Sequence, residues 1–242
     1  MLKLENVTFL FEADRGIQEA TFTVEPGEVI GVVGGNGVGK STLLGLIAAA
    51  LVPQSGKITL EMAGLGGRVK RFVSDIGIGY RRHVGYLTEA APVYGELSVK
   101  QYLVFRARLH GVGVFRLRRR LTEAMTRCGL LQVAKEPIGK LSLGFQRRVA
   151  LAEALITTPA VLVLDDPFVG IDAAQRSVMT AIIRNVSTRS HVFISGHGPQ
   201  LLKACCSRFM LVDKGRVVAD NLDADTALAR LQPATAQEDA TE

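Results

Sequence analysis

The sequence predicts an α/β fold built on a parallel sheet, and three observations support this prediction. Val29–Val33 is a short apolar run rich in β-branched residues, which is typical of a buried strand. A glycine-rich loop follows, and residues 40–51 then form an apolar segment that predicts a helix ending before Pro53. A second apolar run, at 160–164, ends in two aspartates. Strand, loop and helix in this order are the opening of an α/β unit.

The segments that flank this core differ in their patterns. Residues 3–11 and 21–24 alternate apolar and polar side chains, which predicts strands at the edge of a sheet. Residues 98–134 follow a helical pattern that is rich in arginine, and Ser98 followed by Gln101 resembles a capping box at its start. We therefore expect a helical segment to interrupt the α/β core.

The second half of the chain returns to helices and strands in turn. A helix is expected at 142–156 and a strand at His191–Ser195. Apolar residues within 209–219 flank the turn 213–216, which predicts a β-hairpin. From about residue 232 the sequence is polar and rich in Ala, Thr and Glu, so we expect a frayed tail there.

The composition indicates a folded protein without a membrane span. The chain has 242 residues, of which 48% are hydrophobic, which suits one large domain or a domain with an inserted subdomain. No apolar run approaches the ~18–20 residues of a membrane helix, and the first residues lack the pattern of a signal peptide. We therefore expect a protein that stays in the cytosol.

Net charge and cysteine content restrict the function only weakly. The formal net charge of +6 suits nucleic acid, an anionic membrane surface or a phosphate-rich ligand, and it does not choose among them. Cys205 and Cys206 are adjacent, Cys128 stands alone, and no metal-binding spacing is present. We expect free thiols that are buried or half-buried.

The glycine-rich loop carries the most specific motif of the sequence. Residues 34–41, GGNGVGKS, match the pattern G-x-x-x-x-G-K-[ST] without a mismatch. Glycines let backbone N–H groups converge on phosphate oxygens, and the dipole of the following helix adds to this attraction. The dinucleotide pattern G-x-G-x-x-G fits in no register, because its third glycine is missing. The loop therefore predicts a nucleoside triphosphate site, with the lysine at the β- and γ-phosphates and the serine at Mg²⁺. The residues expected to contact the nucleotide are Gly34, Gly35, Asn36, Gly37, Val38, Gly39, Lys40, Ser41 and Thr42.

Two carboxylates follow the second apolar run. Asp165 ends the sequence Val-Leu-Val-Leu, which is where a phosphate-loop protein needs its metal-binding carboxylate. Asp166 is then placed to orient the attacking water or to act as its general base. In isolation, the two acids can also be interpreted as the start of an exposed turn without a function. The phosphate loop upstream favours the interpretation as a metal ligand and a residue that acts on the attacking water.

In this order, the motifs resemble those of the ABC ATPase family. Residues 141–148, LSLGFQRR, look like the family signature, usually LSGGQ, in its LSxGxxQR variant. In the family, the N-terminus of this signature helix binds the γ-phosphate held by the opposite subunit. The resemblance therefore implies a head-to-tail dimer with two ATP molecules between its subunits. The residues it assigns to the opposite ATP are Leu141, Ser142, Gly144 and Gln146.

The resemblance extends over residues 2–219 and assigns further positions. Phe11 corresponds to the aromatic residue that stacks on adenine, and Glu89 to the glutamine that joins the metal to the transport machinery. Asp172 lies in the loop that contacts the partner subunit, and His197 matches the switch histidine near the γ-phosphate. The implied catalytic residues are Asp166, His197 and Lys40, and the implied metal ligands are Ser41, Asp165 and Glu89.

Three departures from the family pattern bear on activity. Asp166 replaces the usual glutamate and is one methylene shorter, and a misplacement of about 1 Å at a reacting water can cost ~100-fold in rate. We hypothesise that hydrolysis is slow or that an extra water bridges the gap, and we predict that Asp166→Glu raises turnover. Glu89 adds a charge where the family has glutamine, as in the GYLPE-like loops of exporter-type members. Leu143 and Phe145 change two signature side chains, while Gly144 and the signature serine remain.

The family fold gives the expected architecture. It is the RecA-like α/β core of P-loop NTPases, with an antiparallel β edge and an inserted α-helical subdomain. The expected boundaries are 1–88 and 141–221 for the ATP-binding core and 89–140 for the helical insert. Residues 222–242 are expected to form a C-terminal helix and the polar tail.

The helical insert is strongly basic, and its charge has three interpretations. It can face a membrane partner or anionic lipid headgroups. It can bind nucleic acid, although few aromatic residues accompany the charges. It can also be a solvated surface whose arginines pair with nearby acids such as Glu123. The basic residues concerned are Arg106, Arg108, His110, Arg116, Arg118, Arg119 and Arg120.

The resulting functional prediction is the ATP-hydrolysing subunit of an ABC transporter. Its expected partners are a polytopic membrane permease and a second nucleotide-binding subunit, either a copy of itself or a paralogue, on the inner face of the cell membrane. The GYLTE loop and the LSLGFQRR signature favour export. One alternative is a soluble ABC protein that acts on nucleic acid or ribosomes, against which stands the absence of a zinc motif or a long coiled-coil insertion. Another is a low-activity regulatory subunit, which only Asp166 suggests.

Overall fold

A computed structural model describes residues 1–11, 15–63, 69–73, 78–196 and 198–235. The strands are β1 (Leu2–Leu10), β2 (Gly16–Val24), β3 (Val29–Val33), β4 (Ser55–Ala63), β5 (Val69–Val73), β6 (Val84–Leu87), β7 (Val161–Leu164), β8 (His191–Ser195), β9 (Arg208–Asp213) and β10 (Arg216–Leu222). The α-helices are α1 (Lys40–Ile47), α2 (Ile78–Arg81), α3 (Val99–Leu109), α4 (Val114–Arg127), α5 (Leu143–Leu155), α6 (Ala173–Ser187), α7 (Pro199–Leu202) and α8 (Ala224–Thr235). Short 3₁₀ turns lie at Leu131–Val133 and Ile138–Lys140.

The centre of the fold is a six-stranded sheet in the order β10-β9-β3-β8-β7-β6. The five strands from β9 to β6 are parallel, and β10 joins β9 as an antiparallel hairpin. Every residue of β3, β7 and β8 is buried, which explains their nearly continuous apolar sequences. The three predicted strands of this core and the predicted hairpin are thus confirmed.

Hydrophobic cores cover both faces of this sheet. Along β3, Val29 and Val33 belong to one core, whereas Ile30 and Val32 belong to the other, as the two-residue period of a strand requires. The first core also contains apolar side chains of α3 to α8. The second contains α1 and the inward face of a separate antiparallel sheet.

That antiparallel sheet is larger than the predicted edge. It has the order β2-β1-β4-β5, and only parts of β1 and β2 were expected from the sequence. In β4, the apolar residues Ile58, Leu60 and Met62 alternate with Thr59 and Glu61, and Ile58 and Leu60 belong to the second core. The segment was missed because its alternation is short and begins after Gly56.

Local signals set several helix boundaries. Ser98 Oγ accepts a hydrogen bond from the Gln101 N–H at 3.3 Å, and Gln101 Oε1 accepts one from the Ser98 N–H at 3.0 Å, so the predicted capping box is confirmed. Helix α1 ends at Ile47, earlier than expected, because Ala49 adopts a positive φ of 53°. Helix α8 continues to Thr235, past the predicted start of the tail, and residues 236–242 lie outside the described part of the chain.

The helices and the cysteines bear on two predictions made from the composition. Among the described residues, no helix has the length and hydrophobicity needed to cross a bilayer. Cys128, Cys205 and Cys206 are free thiols, the first two buried and the third half-buried, as expected.

Candidate functional site

The predicted site residues converge on one edge of the parallel sheet. The loop from Gly34 follows β3, Asp165 follows β7, and Ser195 is the last residue of β8, which lies between those two strands. Glu89 comes shortly after β6, the next neighbour of β7. Ligand sites in α/β sheets form at this carboxyl edge, because all parallel strands deliver their following loops there.

Two glycines of the phosphate loop are required by their surroundings. Gly34 has a φ of 156°, and a Cβ atom there would lie 2.2 Å from the carbonyl oxygen of Val212. Gly39 has a φ of 112°, and its Cβ would approach the carbonyl oxygen of Gly16 to 2.7 Å. A side chain at either position would push the loop out of the shape in which it meets β9 and β2.

Lys40 closes the loop from inside. Its Nζ atom donates hydrogen bonds to the carbonyl oxygens of Gly34 at 3.0 Å and Gly35 at 2.6 Å, and the residue is buried. Burial lowers the pKa of Lys40, whereas the negative charges of Asp166, Asp165 and Glu89 oppose that shift. The ammonium group is therefore held against the carbonyls of the loop, where it can meet a phosphate.

The rest of the loop is open to a ligand. Asn36, Gly37 and Ser41 are exposed, and Val38 and Thr42 are partly exposed. Helix α1 begins here with no side chain capping its first turn, so the N–H groups at its start remain available for an anion. This arrangement matches the expected phosphate cradle, and it leaves the Ser41 hydroxyl accessible.

Ser195 joins the two carboxylate residues, and the sequence analysis did not identify it. Its buried hydroxyl donates a hydrogen bond to Asp165 Oδ1 at 2.6 Å and accepts one from the Asp166 N–H at 2.8 Å. Asp166 has a φ of 44°, an unusual conformation for a residue other than glycine. A polar residue at the end of an otherwise apolar strand was the available signal.

Glu89 and the signature helix are connected through a buried arginine. Arg147, on α5, donates a hydrogen bond from Nη1 to the carbonyl oxygen of Glu89. Burial lowers the pKa of the Arg147 guanidinium, and the negative charges of Glu89 and Asp166 oppose that shift. The side chain of Glu89 is exposed. The contact fixes the Glu89 backbone and leaves its carboxylate free to reach a ligand.

The signature residues begin α5 on a different part of the molecule. Ser142 precedes the helix and is exposed, but its side chain makes no capping hydrogen bond. Gly144 is buried against the side chain of Gln175 on α6, and Gln146 donates hydrogen bonds to the carbonyl oxygens of Leu141 at 2.9 Å and Ile138 at 3.3 Å. Across the described residues, no hydrogen bond joins this segment to the phosphate loop of the same chain.

The remaining predicted residues have separate settings. Phe11 is half exposed and packs edge-on against Phe9, with 4.8 Å between the ring centroids. Phe11 directly follows Leu10, which pairs with Gly16 of β2. Gly16 in turn lies against Gly39 of the phosphate loop. Asp172 caps α6, accepting the Gln175 N–H at 2.8 Å. His197 lies outside the described residues.

A groove of about 470 Å³ lies between the β6 edge and helices α3 and α5. Arg106, on α3, donates a hydrogen bond from Nε to Glu153 Oε1 of α5 at 2.6 Å, and the Tyr102 hydroxyl donates to Glu153 Oε2. Burial opposes the charge of Glu153, but the His110 ring 3.9 Å away, the hydrogen bond from Tyr102 and the attraction of Arg106 together lower its pKa. Other residues lining the groove include Arg81, Thr88 and Tyr94.

The arginines of the helical insert thus pair differently from one another. Arg119 and Arg120 lie 3.6 Å from Glu123 carboxylate oxygens, as one interpretation of the sequence expected. Arg106 instead pairs with Glu153, 47 positions away on another helix. Local sequence could not reveal that pair, because it depends on how α3 packs on α5.

The chain is similar to known proteins along most of its length. The family model for ABC transporters matches residues 17–169, more than half of the chain. The ABC transporter ATP-binding protein NatA of Bacillus subtilis is 26% identical over 205 residues, which cover 84% of this chain and 80% of the relative. The phosphonates import ATP-binding protein PhnC of Rhizobium meliloti is 29% identical, with 95% of this chain and 84% of the relative covered. The Nod factor export ATP-binding protein I of Burkholderia thailandensis is 29% identical, with 83% and 64% covered.

The fold agrees with solved structures. A dimeric ATP-binding cassette in a post-hydrolysis state, bound to ADP and Pi, superposes with a TM-score of 0.75 at 20% identity, covering 91% of this chain and 97% of that one. The predicted P-loop NTPase fold is confirmed by this likeness. The chain therefore belongs to the ABC transporter family and is one of its ATP-binding, ATP-hydrolysing subunits.

Proposed function

We propose that this chain pairs with a second nucleotide-binding subunit in a head-to-tail sandwich and drives a separate polytopic permease at the inner face of the cell membrane. The observation that carries the proposal is the division of phosphate-binding groups within one chain. The loop from Gly34 supplies one half of an ATP site. The uncapped, exposed start of α5 at Ser142 supplies the complementary half and has no hydrogen bond to that loop. A second subunit brings the halves together.

The roles of the residues within one site follow from their positions. Lys40 binds the β- and γ-phosphate oxygens, and Phe11 stacks on the adenine. Asp166 accepts a hydrogen bond from the attacking water at a carboxylate oxygen and takes its proton, with His197 assisting. Ser142 and Gly144 of the second subunit present backbone N–H groups to the γ-phosphate. Asp172 contacts that subunit across the interface.

The residues also fit a magnesium ion. Ser41 and Asp165 would hold it, with Glu89 nearby, and it would neutralise charge on the phosphate oxygens. Mg²⁺ usually keeps waters and substrate phosphates among its ligands and needs only one or two carboxylates, so this small set of oxygen ligands fits it.

The groove beside α3 is the proposed docking site for the permease. It lies between the sheet core and the helices of the insert, and Thr88, next to Glu89, lines it. A cytoplasmic helix of a permease bound there would touch the loop that Arg147 ties to α5. Docking would thus affect both Glu89, on the metal side of the ATP site, and the signature residues at the start of α5.

Two further parts of the proposal concern organisation and direction. We divide the chain into a core at 1–88 and 141–221, a helical subdomain at 89–140, and a C-terminal helix and tail at 222–242. We propose export on the basis of the GYLTE loop and the LSLGFQRR signature, although the names of relatives include both import and export.

ATP-dependent dimerisation tests the sandwich. With hydrolysis blocked by Asp166→Asn, light scattering should find a dimer with Mg-ATP and a monomer without it. Adding Ser142→Arg should leave a monomer, because the exposed start of α5 would then be blocked. Ser177→Arg, also exposed and on α6, is the matched control and should still dimerise. A monomer throughout, or a dimer that Ser142→Arg does not affect, would contradict the proposal.

Co-purification tests the permease. The tagged chain, isolated from its host in mild detergent, should recover a polytopic membrane protein in stoichiometric amount. Arg81→Glu in the groove should abolish this recovery, whereas Arg230→Glu on α8 should not. Recovery of only ribosomal or DNA-processing proteins would favour the soluble alternative instead.

A further inference from the structure

The turn between α3 and α4 exposes three large apolar side chains. Leu109 is 63% exposed, Val114 is 80% exposed and Phe115 is fully exposed at 103%. We call residues 108–116 the α3–α4 tip. Single exposed apolar residues are common on protein surfaces, but three at one turn mark a contact surface. The exposure of Phe115 means that no described part of this chain covers its ring.

The tip sits within a long stretch of unbalanced positive charge. Residues 97–122 contain no aspartate or glutamate. Arg108, Arg116 and Arg118 are exposed and form no ion pair with any described residue. Apolar side chains at the end of a protrusion, surrounded by unpaired arginines, are the combination found where proteins rest on anionic lipid.

The position of the tip supports lipid over a protein partner. His110, which follows α3 directly, lines the groove assigned above to the permease, so the tip lies beside that face. The placement of the tip beside the permease rests on the proposed function, whereas the charge and the exposed apolar residues of the tip do not. A protein partner requires a complementary shape, whereas lipid accepts a protruding aromatic ring without one.

We propose that the α3–α4 tip binds the headgroup region of an anionic bilayer. Val114 and Phe115 enter the interface between headgroups and acyl chains, and Arg108, Arg116 and Arg118 contact lipid phosphates. Each basic residue near such a surface contributes about fivefold to the partition coefficient at low salt. The tip would then hold the ATPase against the membrane from which its permease emerges.

Vesicle co-sedimentation with the purified full chain tests this proposal. Binding to vesicles of phosphatidylglycerol and phosphatidylethanolamine should exceed binding to pure phosphatidylcholine at least tenfold and should weaken as salt is added. The double variant Val114→Ser/Phe115→Ser should bind the anionic vesicles about tenfold less. Arg116→Glu/Arg118→Glu should lose nearly all binding. Val178→Ser, exposed on α6, is the control and should bind like the unmodified chain.

The outcomes separate lipid from protein. Basal ATP hydrolysis by the tip variants should be unchanged, which confirms that they fold. Equal binding to anionic and neutral vesicles would overturn the proposal, and so would full vesicle binding by the serine double variant. Tip variants that bind vesicles normally but fail to recover the permease would assign the tip to that protein. Vesicle binding by a chain that recovers no permease would support the lipid contact while removing the transporter function.

Discussion

Ser195 and Asp165 are joined by a 2.6 Å hydrogen bond in which the buried serine hydroxyl is the donor. The same hydroxyl accepts the backbone N–H of Asp166 at 2.8 Å. One side chain at the end of β8 therefore orients the metal-side carboxylate and fixes the backbone of the proposed base. Among the described residues, its hydroxyl bonds only to these two aspartates and not to the Gly34 or Gly35 carbonyl that accepts from Lys40, so we expect its influence to pass through the aspartates.

Removing this hydroxyl should slow hydrolysis more than it weakens ATP binding. A buried hydrogen bond to a charged group is worth about 1.5–3 kcal/mol, which corresponds to roughly 10- to 100-fold if lost in the transition state. We expect Ser195→Ala to lower kcat by about that factor and to change KM for ATP by less than about threefold. Phosphate release measured over a range of ATP and Mg²⁺ concentrations gives both constants.

Two companion variants make the Ser195 result specific. Ser195→Thr keeps the hydroxyl and should recover most of the turnover. Ser177→Ala removes a hydroxyl on the surface of α6 that bonds only within its own helix, and it should have no effect. Normal kcat in Ser195→Ala would show that the aspartates hold their positions without it.

Lengthening the proposed base should accelerate hydrolysis. Asp166 is one methylene shorter than the glutamate of the family pattern, and a displacement of about 1 Å at the reacting water costs up to ~100-fold. We expect Asp166→Glu to raise kcat about tenfold or more and Asp166→Asn to abolish turnover. Unchanged or slower hydrolysis by the glutamate variant would remove this explanation and leave the aspartate as the better-placed base.

Asp166→Glu should also carry a measurable stability cost. The φ of 44° at this position is left-handed, and aspartate tolerates that region better than glutamate does. A cost of about 1 kcal/mol lowers Tm by roughly 2–4 °C in a chain of this size. Thermal unfolding without nucleotide measures it separately from the kinetics.

Local sequence predicted the parts of this protein that depend on local chemistry. The phosphate loop, the buried strands β3, β7 and β8 and the capping box at Ser98 each follow from residues within a few positions of one another. Ser195 and the Arg147–Glu89 contact join residues 30 and 58 positions apart, and no periodicity encodes such pairs. The hydrophobic pattern of β4 is present but too short to predict a strand by itself. The segment forms a strand by pairing with β1, which lies far from it in the sequence.

Arg147 should stabilise the loop after β6 in particular. Its Nη1 atom donates to the Glu89 carbonyl, and the guanidinium is buried, with no partner for Nε among the described residues. Arg147→Met should leave that carbonyl without its donor, a loss of about 1–3 kcal/mol. We expect faster hydrogen exchange in a peptide spanning 84–92 and partial protection again in Arg147→Lys, which can still donate one hydrogen bond.

The neighbouring arginine provides a matched control. Arg148 is also buried, and it donates to the carbonyl of Cys128 at 3.2 Å while its guanidinium lies over the Phe145 ring. Arg148→Met should therefore increase exchange near Cys128 and leave 84–92 protected. If both variants expose the same peptides, the arginines stabilise α5 as a whole, and Arg147 has no special connection to Glu89.

His191 should make the protein less stable as the pH falls from about 6.5 to 4. It is buried at the start of β8, and its Nδ1 atom lies 3.0 Å from the Glu25 carbonyl oxygen. Burial, with help from the N-terminal ammonium, lowers its pKa from 6.5 to about 4, although the Glu25 carbonyl and Glu28 act in the opposite direction. Because the unfolded chain binds the proton more readily in this range, the stabilisation is complete above about pH 6.5 and is lost as pH falls through 4.

Urea unfolding at pH 7.5, 5.5 and 4 can isolate this contribution. A shift of this size corresponds to a loss of up to about 3 kcal/mol in the free energy of unfolding across the range. Carboxylates protonate over part of the same range, so the test is the difference between the unmodified chain and His191→Gln, which cannot titrate there. The glutamine variant should lose stability less steeply below pH 6.5. Parallel curves for the two proteins would mean that His191 takes up its proton without disturbing the fold.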